Sequence, residues 1–178
     1  MTQTQTQVEK GIGFRWIDAD ACLFDIDGTL LITHDGIHRN ALHRAMRDGY
    51  GVETTIDGVA YHGKTDIGIL RAALTRVGVS ADVFESKLPQ ALEVVRQDVS
   101  ANANRMVAHV FAAISEVLAR LQAAGKLLGV ASGNLESVGW HKVKAGGLLE
   151  FFSFGCFSDQ SESRAGIFQK VWTRCSAA

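Results

Sequence analysis

Asp25 and Asp27 stand one residue apart in the run Ala21-Cys22-Leu23-Phe24-Asp25-Ile26-Asp27-Gly28-Thr29-Leu30. Alternate residues of an extended chain share a face, so a strand carried through this run presents both carboxylates together. A carboxylate can attack phosphorus and split one hard hydrolysis into two easier steps. A second acid beside it can protonate the leaving alcohol and later activate water. Two like charges that close repel, so the pair calls for a cation or a shared proton. The apolar run ahead of them is of strand type, and open α/β sheets build their sites at the carboxyl ends of such strands. The plainer reading is an Asp-rich turn in which Gly28 supplies an unusual backbone angle. The succession of apolar run, two acids, Gly and Thr favours the chemical reading.

A second candidate is Val130-Ala131-Ser132-Gly133-Asn134, a strand-type run ending in a hydroxyl. Backbone amides at a following helix N-terminus would suit a phosphate oxygen, although Ser132 or Asn134 could equally be an ordinary helix cap. Lys142 and Lys144 follow within a helical stretch. In His62-Gly63-Lys64-Thr65-Asp66, Thr65 reads as an N-cap and Asp66 as an acid favourable to the helix dipole, with Lys64 a free cation beside them. The six histidines show no ligand spacing such as H-x-x-x-H with a third partner, and His34, His38 and His43 are expected on the surface. Cys22, Cys156 and Cys175 fit no metal spacing and read as buried or incidental thiols of a reducing cytosol.

The elements that must position these groups are legible from periodicity. Ala41, Leu42, Ala45 and Met46 mark a helix over 38–48, with Gly49 and Gly51 as stop signals. Ile67, Leu70, Leu74 and Val77 mark a second over 65–77. A third is capped by Ser80 or Asp82, and Pro89 suits the first turn of a fourth that reaches about Asn104. No strand is expected between 35 and 106. Beyond it come a helix over 111–124, a buried strand over 126–131, a helix over 135–145, a strand over 151–157 and a last helix from Ser163. Strand, helical insert, then alternating helices and strands argues for α/β architecture with a parallel sheet.

Composition narrows the class. The 178 residues are 47% hydrophobic and 21% charged with formal net charge −1, which suits a soluble globular chain and gives no electrostatic case for nucleic acid or an anionic membrane. No apolar stretch approaches the roughly 20 residues that span a bilayer. The first twelve residues are polar, without the apolar core of a signal peptide, and read as a disordered tail. Oligomeric state leaves no mark in the sequence.

The run from Ala21 to Leu30 resembles motif one of the haloacid dehalogenase (HAD) superfamily, apolar residues followed by D-x-D-G-T-L. The resemblance implies that Asp25 is a nucleophile forming an aspartyl-phosphate and that Asp27 is general acid, then base. Dehalogenating members typically lack the second Asp, so Asp27 points to phosphoryl transfer. Val130–Asn134 resembles motif two, which implies phosphate binding by Ser132, Gly133 and Asn134, with Thr29 of motif one beside them. Ser132-Gly133-Asn134-Leu135 followed by Lys142-Val143 looks like the T-G-N … K-L pattern of phosphoglycolate-phosphatase-like members. That makes Lys142 the motif three cation, with Lys144 its competitor. Gly63-Lys64-Thr65-Asp66 resembles a G-[KR]-T-D segment that lies over the active site and lets Lys64 meet an anionic substrate group.

The implied fold is a Rossmann-like core, residues 13–34 and 107–178, with a helical cap over 35–106 and the tail over 1–12. The implied function is a cytoplasmic, Mg2+-dependent phosphatase acting on a small phosphorylated metabolite such as 2-phosphoglycolate, the metal held by Asp25 and Asp27. A sugar phosphomutase, or a catalytically weak phosphate-binding remnant, are the alternatives. One part of the resemblance is missing: the acidic pair of motif four. Phe154–Asp159 and Arg164 look like the stretch that precedes it, and Asp159 and Glu162 are the only nearby acids that could replace it. Without that segment the motif one strand is expected to show an unpaired edge.

Overall fold

The computed structural model describes residues 18–60 and 63–175, with side chains as far as Gln169. The polar tail over 1–12, His62 and the Cys175 side chain lie outside the described residues. Three parallel strands form the main sheet: β1 (Ala21–Phe24), β4 (Leu127–Ala131) and β5 (Phe154–Cys156), in the order β1-β4-β5. Phe24 pairs with Val130 and Ala131 with Cys156, so the segments that follow β1 and β4 leave the same end of the sheet. Gly129 lies in mid-strand because the Phe154 ring crosses it; a Cβ there would stand 2.3 Å from that ring. Between strands the chain forms α4 (Ile114–Ala123) and α5 (Glu136–Ala145), and α6 (Arg164–Cys175) follows β5. Leu118, Leu128, Val130, Val143, Leu148 and Phe157 are buried in the core these elements share.

A two-stranded antiparallel ribbon follows β1, made of β2 (Leu31–Thr33) and β3 (Ala108–Val110), with Leu31 opposite Val110. No periodic pattern announces it, because three-residue strands are too short to show alternation. Between its strands lie α1 (Ile37–Arg44), a π-turn over Ala45–Gly49, α2 (Asp66–Arg76) and α3 (Ala81–Asn102). This insert has its own core, including Leu42, Met46, Leu70, Leu74, Phe84 and Val95.

Two expectations are corrected here. The third and fourth helices are one, because α3 runs unbroken through Pro89. Phe84, Ala91, Leu92, Val95 and Val99 lie buried along it, and that packing outweighs the lost backbone bond. Gly49 is more than a stop signal: a Cβ would meet Ala91 Cβ at 2.9 Å, so glycine permits the close approach of α3.

Among the described residues β1 has a sheet neighbour on one side only, and its Leu23 is 38% exposed. Parallel strands are normally covered on both faces, and Leu23, like Leu127 on β4, is left partly open.

Candidate active site

At the carboxyl end of β1 the chain leaves the sheet before Asp25 and turns through Gly28, whose φ of 79° lies in the left-handed region. Gly28 donates to Leu31 O and Leu30 donates to Ile26 O, which ties the turn down. Asp25 and Asp27 thereby line one cleft of about 700 Å³ under the helical insert. Their partners differ. Arg164, the first residue of α6, donates to Asp25 Oδ2 at 2.6 Å, while Asp25 Oδ1 accepts from the Ile26 amide at 2.9 Å.

Lys142 is 3% exposed on α5, and its Nζ donates to both Asp27 oxygens at 2.8 and 2.9 Å. It also donates to Asn134 Oδ1 at 3.1 Å, and Asn134 Nδ2 donates to Asp27 Oδ2 at 2.7 Å. Partial burial pushes the Asp27 carboxyl up, but the Lys142 charge and the hydrogen bonds from Lys142 and Asn134 prevail and hold it below the ordinary carboxylate value. Lys144, two residues on, is exposed. The α-helical period separates the two, since residues i and i+2 do not share a face.

Ser132 is buried; its Oγ accepts from Asn134 Nδ2 at 2.9 Å and from the Asn134 amide at 3.4 Å, leaving its own O–H to donate. Gly133 has no room for a side chain, because a Cβ would stand 2.4 Å from Lys64 O. The Asp66 amide donates to Gly133 O at 2.8 Å, and the Asp66 carboxylate accepts from the Leu135 amide at 2.8 Å. The start of α2 is thus docked on the loop after β4. Lys64 lines the cleft and is exposed, with no ion-pair partner among the described residues.

Two expectations fail. Thr29 is exposed and is not part of the cleft lining, because the turn at Gly28 carries it outward. Two amides at the α5 N-terminus are taken up within the protein, Leu135 N–H by Asp66 and Glu136 N–H by Asp159, while Ser132, Gly133 and Asn134 line the cleft. His38 is not a surface residue; its side chain is 16% exposed, with Nδ1 at 3.1 Å from Lys142 Nζ and Nε2 at 3.1 Å from Asp66 Oδ2. His43 is also engaged, its Nε2 accepting from the Ile56 amide at 3.2 Å. Of these three histidines, His34 alone is exposed. His38 and Arg164 are residues that sequence reasoning did not place in the site, and it gave Asp66 only the role of a helix-start acid in a segment over it. The repeated H-x-x-x-x-H of His38 and His43 on one short helix offered no signal for either role.

Asp159 and Glu162 do not replace the missing acids. Asp159 pairs with Arg96 at 2.6 Å and caps α5, while Glu162 pairs with Arg71 at 2.6 Å. Thr65 donates from its hydroxyl to Glu162 O at 2.7 Å as well as accepting from the Gly68 amide at 3.1 Å. Both acids therefore tie the loop ahead of α6 to the insert. Mg2+ demands near-ideal octahedral oxygen ligands. Among the described residues no three His, Cys, Asp or Glu side chains group to hold a metal, and Arg164 already occupies Asp25. The described residues alone do not fit a Mg2+ site.

Two adjacent aspartates at the end of a parallel strand, each matched by a cation under a helical insert, define an α/β protein of the haloacid dehalogenase kind. The chain belongs to the haloacid dehalogenase-like hydrolase family, whose model matches residues 22–176. Among solved structures it is similar to CbbY from Rhodobacter sphaeroides in complex with phosphate: 19% identity, TM-score 0.60, covering 82% of this chain and 66% of that one. A predicted phosphatase from Clostridium acetobutylicum matches at 15% identity and TM-score 0.61, covering 89% and 71%. A predicted phosphoglycolate phosphatase from Haemophilus somnus matches at 16% identity and TM-score 0.52, covering 78% and 62%. At these identities the likeness establishes the fold. The chain spans about two thirds of the length of these structures. No curated protein matches it.

Proposed function

We propose that this chain carries the phosphoryl-transfer machinery of a phosphatase for a small phosphorylated metabolite, with Asp25 as nucleophile. The observation that carries this reading is the division of labour between the two aspartates. Asp25 points an oxygen into the cleft beside a guanidinium, and Asp27 is held by Lys142 and Asn134. Attack of Asp25 on phosphorus forms an O–P bond and breaks the bond to the substrate oxygen, leaving an aspartyl-phosphate.

The two cations serve this step differently. Arg164 has five N–H donors in a planar fork and can hold a phosphoryl oxygen while keeping contact with Asp25. Lys142 stabilises Asp27 as a carboxylate, the form that takes a proton from water in the second step. For the first step Asp27 must bring a proton to the leaving oxygen. A phosphomonoester with a second ionisation near pH 6 supplies one when it enters as the monoanion.

Substrate choice falls to the insert, which we read as a cap over residues 35–106 on a core of 13–34 and 107–178. Of the acids lining the cleft, Asp57 pairs with Arg39 and Asp66 with His38. Lys64 is left to meet an anionic group of the substrate, as a carboxylate or second phosphate would supply. Phosphoglycolate fits that requirement, and so does a sugar bisphosphate such as the xylulose bisphosphate bound by a CbbY mutant, a protein 18% identical to this chain. Magnesium dependence, implied by the resemblance, calls for a carboxylate that the described residues do not bring to Asp25. The free thiol of Cys22 suits a reducing compartment such as the cytoplasm. Steady-state hydrolysis of phosphoglycolate and of sugar phosphates, with Asp25→Asn as control, tests the reading: turnover lost in the variant supports it, and turnover retained refutes it.

A further inference from the structure

The mechanism above leaves one buried polar group without a task. His38 sits on α1 of the insert, yet its ring lies between the Lys142 ammonium of the core and the Asp66 carboxylate at the start of α2. A lysine ammonium has three donors and no lone pair, so the atom facing it must accept. Nδ1 at 3.1 Å from Lys142 Nζ is therefore the unprotonated nitrogen. The ring proton then belongs on Nε2, which faces an acceptor-only carboxylate at 3.1 Å. That contact is a close polar approach and not an aligned hydrogen bond. Lys142 is left with two donors: one is shared between the two Asp27 oxygens and the other meets Asn134 Oδ1.

We propose that His38 is a positioning residue: its neutral Nε2–H tautomer, set by Asp66, takes one Lys142 proton and aims the other two at Asp27 and Asn134. The proposal rests on the phosphatase reading for its kinetic consequence but not for its geometry. It makes the orientation of the core cation depend on two residues of the insert. Asp66 does double duty, because it also accepts from the Leu135 amide and docks α2 on the loop after β4. When the insert is seated, Lys142 is aimed; when it lifts, Lys142 loses its third acceptor and swings among rotamers. Asn keeps an acceptor oxygen near the Nδ1 position, whereas leucine keeps only bulk.

Two measurements on the full chain test this. The first is the nitrogen NMR signature of the His38 imidazole in the unmodified protein at neutral pH, assigned with His38→Asn. The Nε2–H tautomer is expected, and an Nδ1–H tautomer or a ring averaging between the two overturns the proposal whether or not the protein is a phosphatase. The second is kinetic. His38→Leu should lose about tenfold to a hundredfold in kcat, because a displaced charge at the reacting centre costs that much, with KM held within about twofold. His38→Asn should recover most of the loss. Equal kcat for His38→Leu and the unmodified protein, or no recovery with asparagine, overturns it. Absence of turnover on every phosphomonoester defeats the phosphatase reading alone and leaves the tautomer result to decide.

Discussion

Arg164 and Asp25, 139 residues apart, form a 2.6 Å ion pair that puts the first residue of α6 on the carboxylate at the end of β1. The guanidinium holds the ground Mg2+ would need on Asp25. Arg164→Gln should therefore raise Mg2+ affinity, since a hard cation no longer competes with a fixed one. The same change should lower kcat/KM, because the anchor for a phosphoryl oxygen is gone. Calorimetric titration with Mg2+ checks the first effect, and weaker or unchanged binding in the variant would show that Arg164 does not compete for the site.

Lys142→Met should cost about 10²-fold in kcat/KM, the usual scale for one charged donor aimed at a developing charge. Lys144→Met should stay within about twofold, as exposed substitutions away from a site usually do. The comparison tests which lysine the helix turns inward. Comparable losses for the two would mean the buried ammonium contributes nothing special.

Asp27→Asn should slow turnover by roughly 10²–10⁴-fold on alkyl phosphates and far less on p-nitrophenyl phosphate, whose leaving group needs no proton. A leaving-group series in both proteins gives the slope. If the variant shows the same dependence as the unmodified protein, Asp27 is not the proton donor.

Much of this site is visible in the chain before folding, and the reasons are local. Asp25, Asp27 and Gly28 are neighbours in sequence, so a strand end and a left-handed turn place them with no distant help. Lys142 is preferred over Lys144 by the motif three spacing of the resemblance, and in the structure Lys142 is buried while Lys144 is exposed. What stays hidden is whatever depends on long-range docking. His38 is read by its neighbours as a surface histidine, and only the seating of the insert, with α3 against α5 and the start of α2 on the loop after β4, brings it to Lys142. Asp159 and Glu162 looked available as metal ligands because nothing nearby neutralises them; Arg96 and Arg71, far off in sequence, claim them. Pro89 misled for the opposite reason, as a local breaker overruled by a buried stripe.

Gly133→Ala should destabilise the protein by about 1–3 kcal/mol and reduce activity, because the new methyl must displace the Lys64 carbonyl and with it the start of α2. Thermal melting and kcat/KM read the two effects together. A fully stable, fully active alanine variant would show that the insert does not rest on this loop.

His43 supplies a pH prediction. Burial, then the charge of Arg39, push its pKa below the ordinary histidine value, with Asp57 opposing. The folded state then binds fewer protons than the unfolded one. The stability His43 contributes is complete above about pH 6.5 and is lost as pH falls from there through its lowered folded value. Melting temperature measured from pH 8 to 5 should drop more in the unmodified protein than in His43→Gln. Parallel curves would contradict the assignment.

The nucleophile itself can be caught directly. Protein quenched in acid during turnover of a phosphomonoester, then reduced with borohydride, converts an aspartyl-phosphate to homoserine at the labelled position. Peptide mass spectrometry should find homoserine at Asp25, and none at Asp27 or in Asp25→Asn. Turnover with no homoserine at Asp25, or with the label on another residue, would contradict the covalent role given to Asp25.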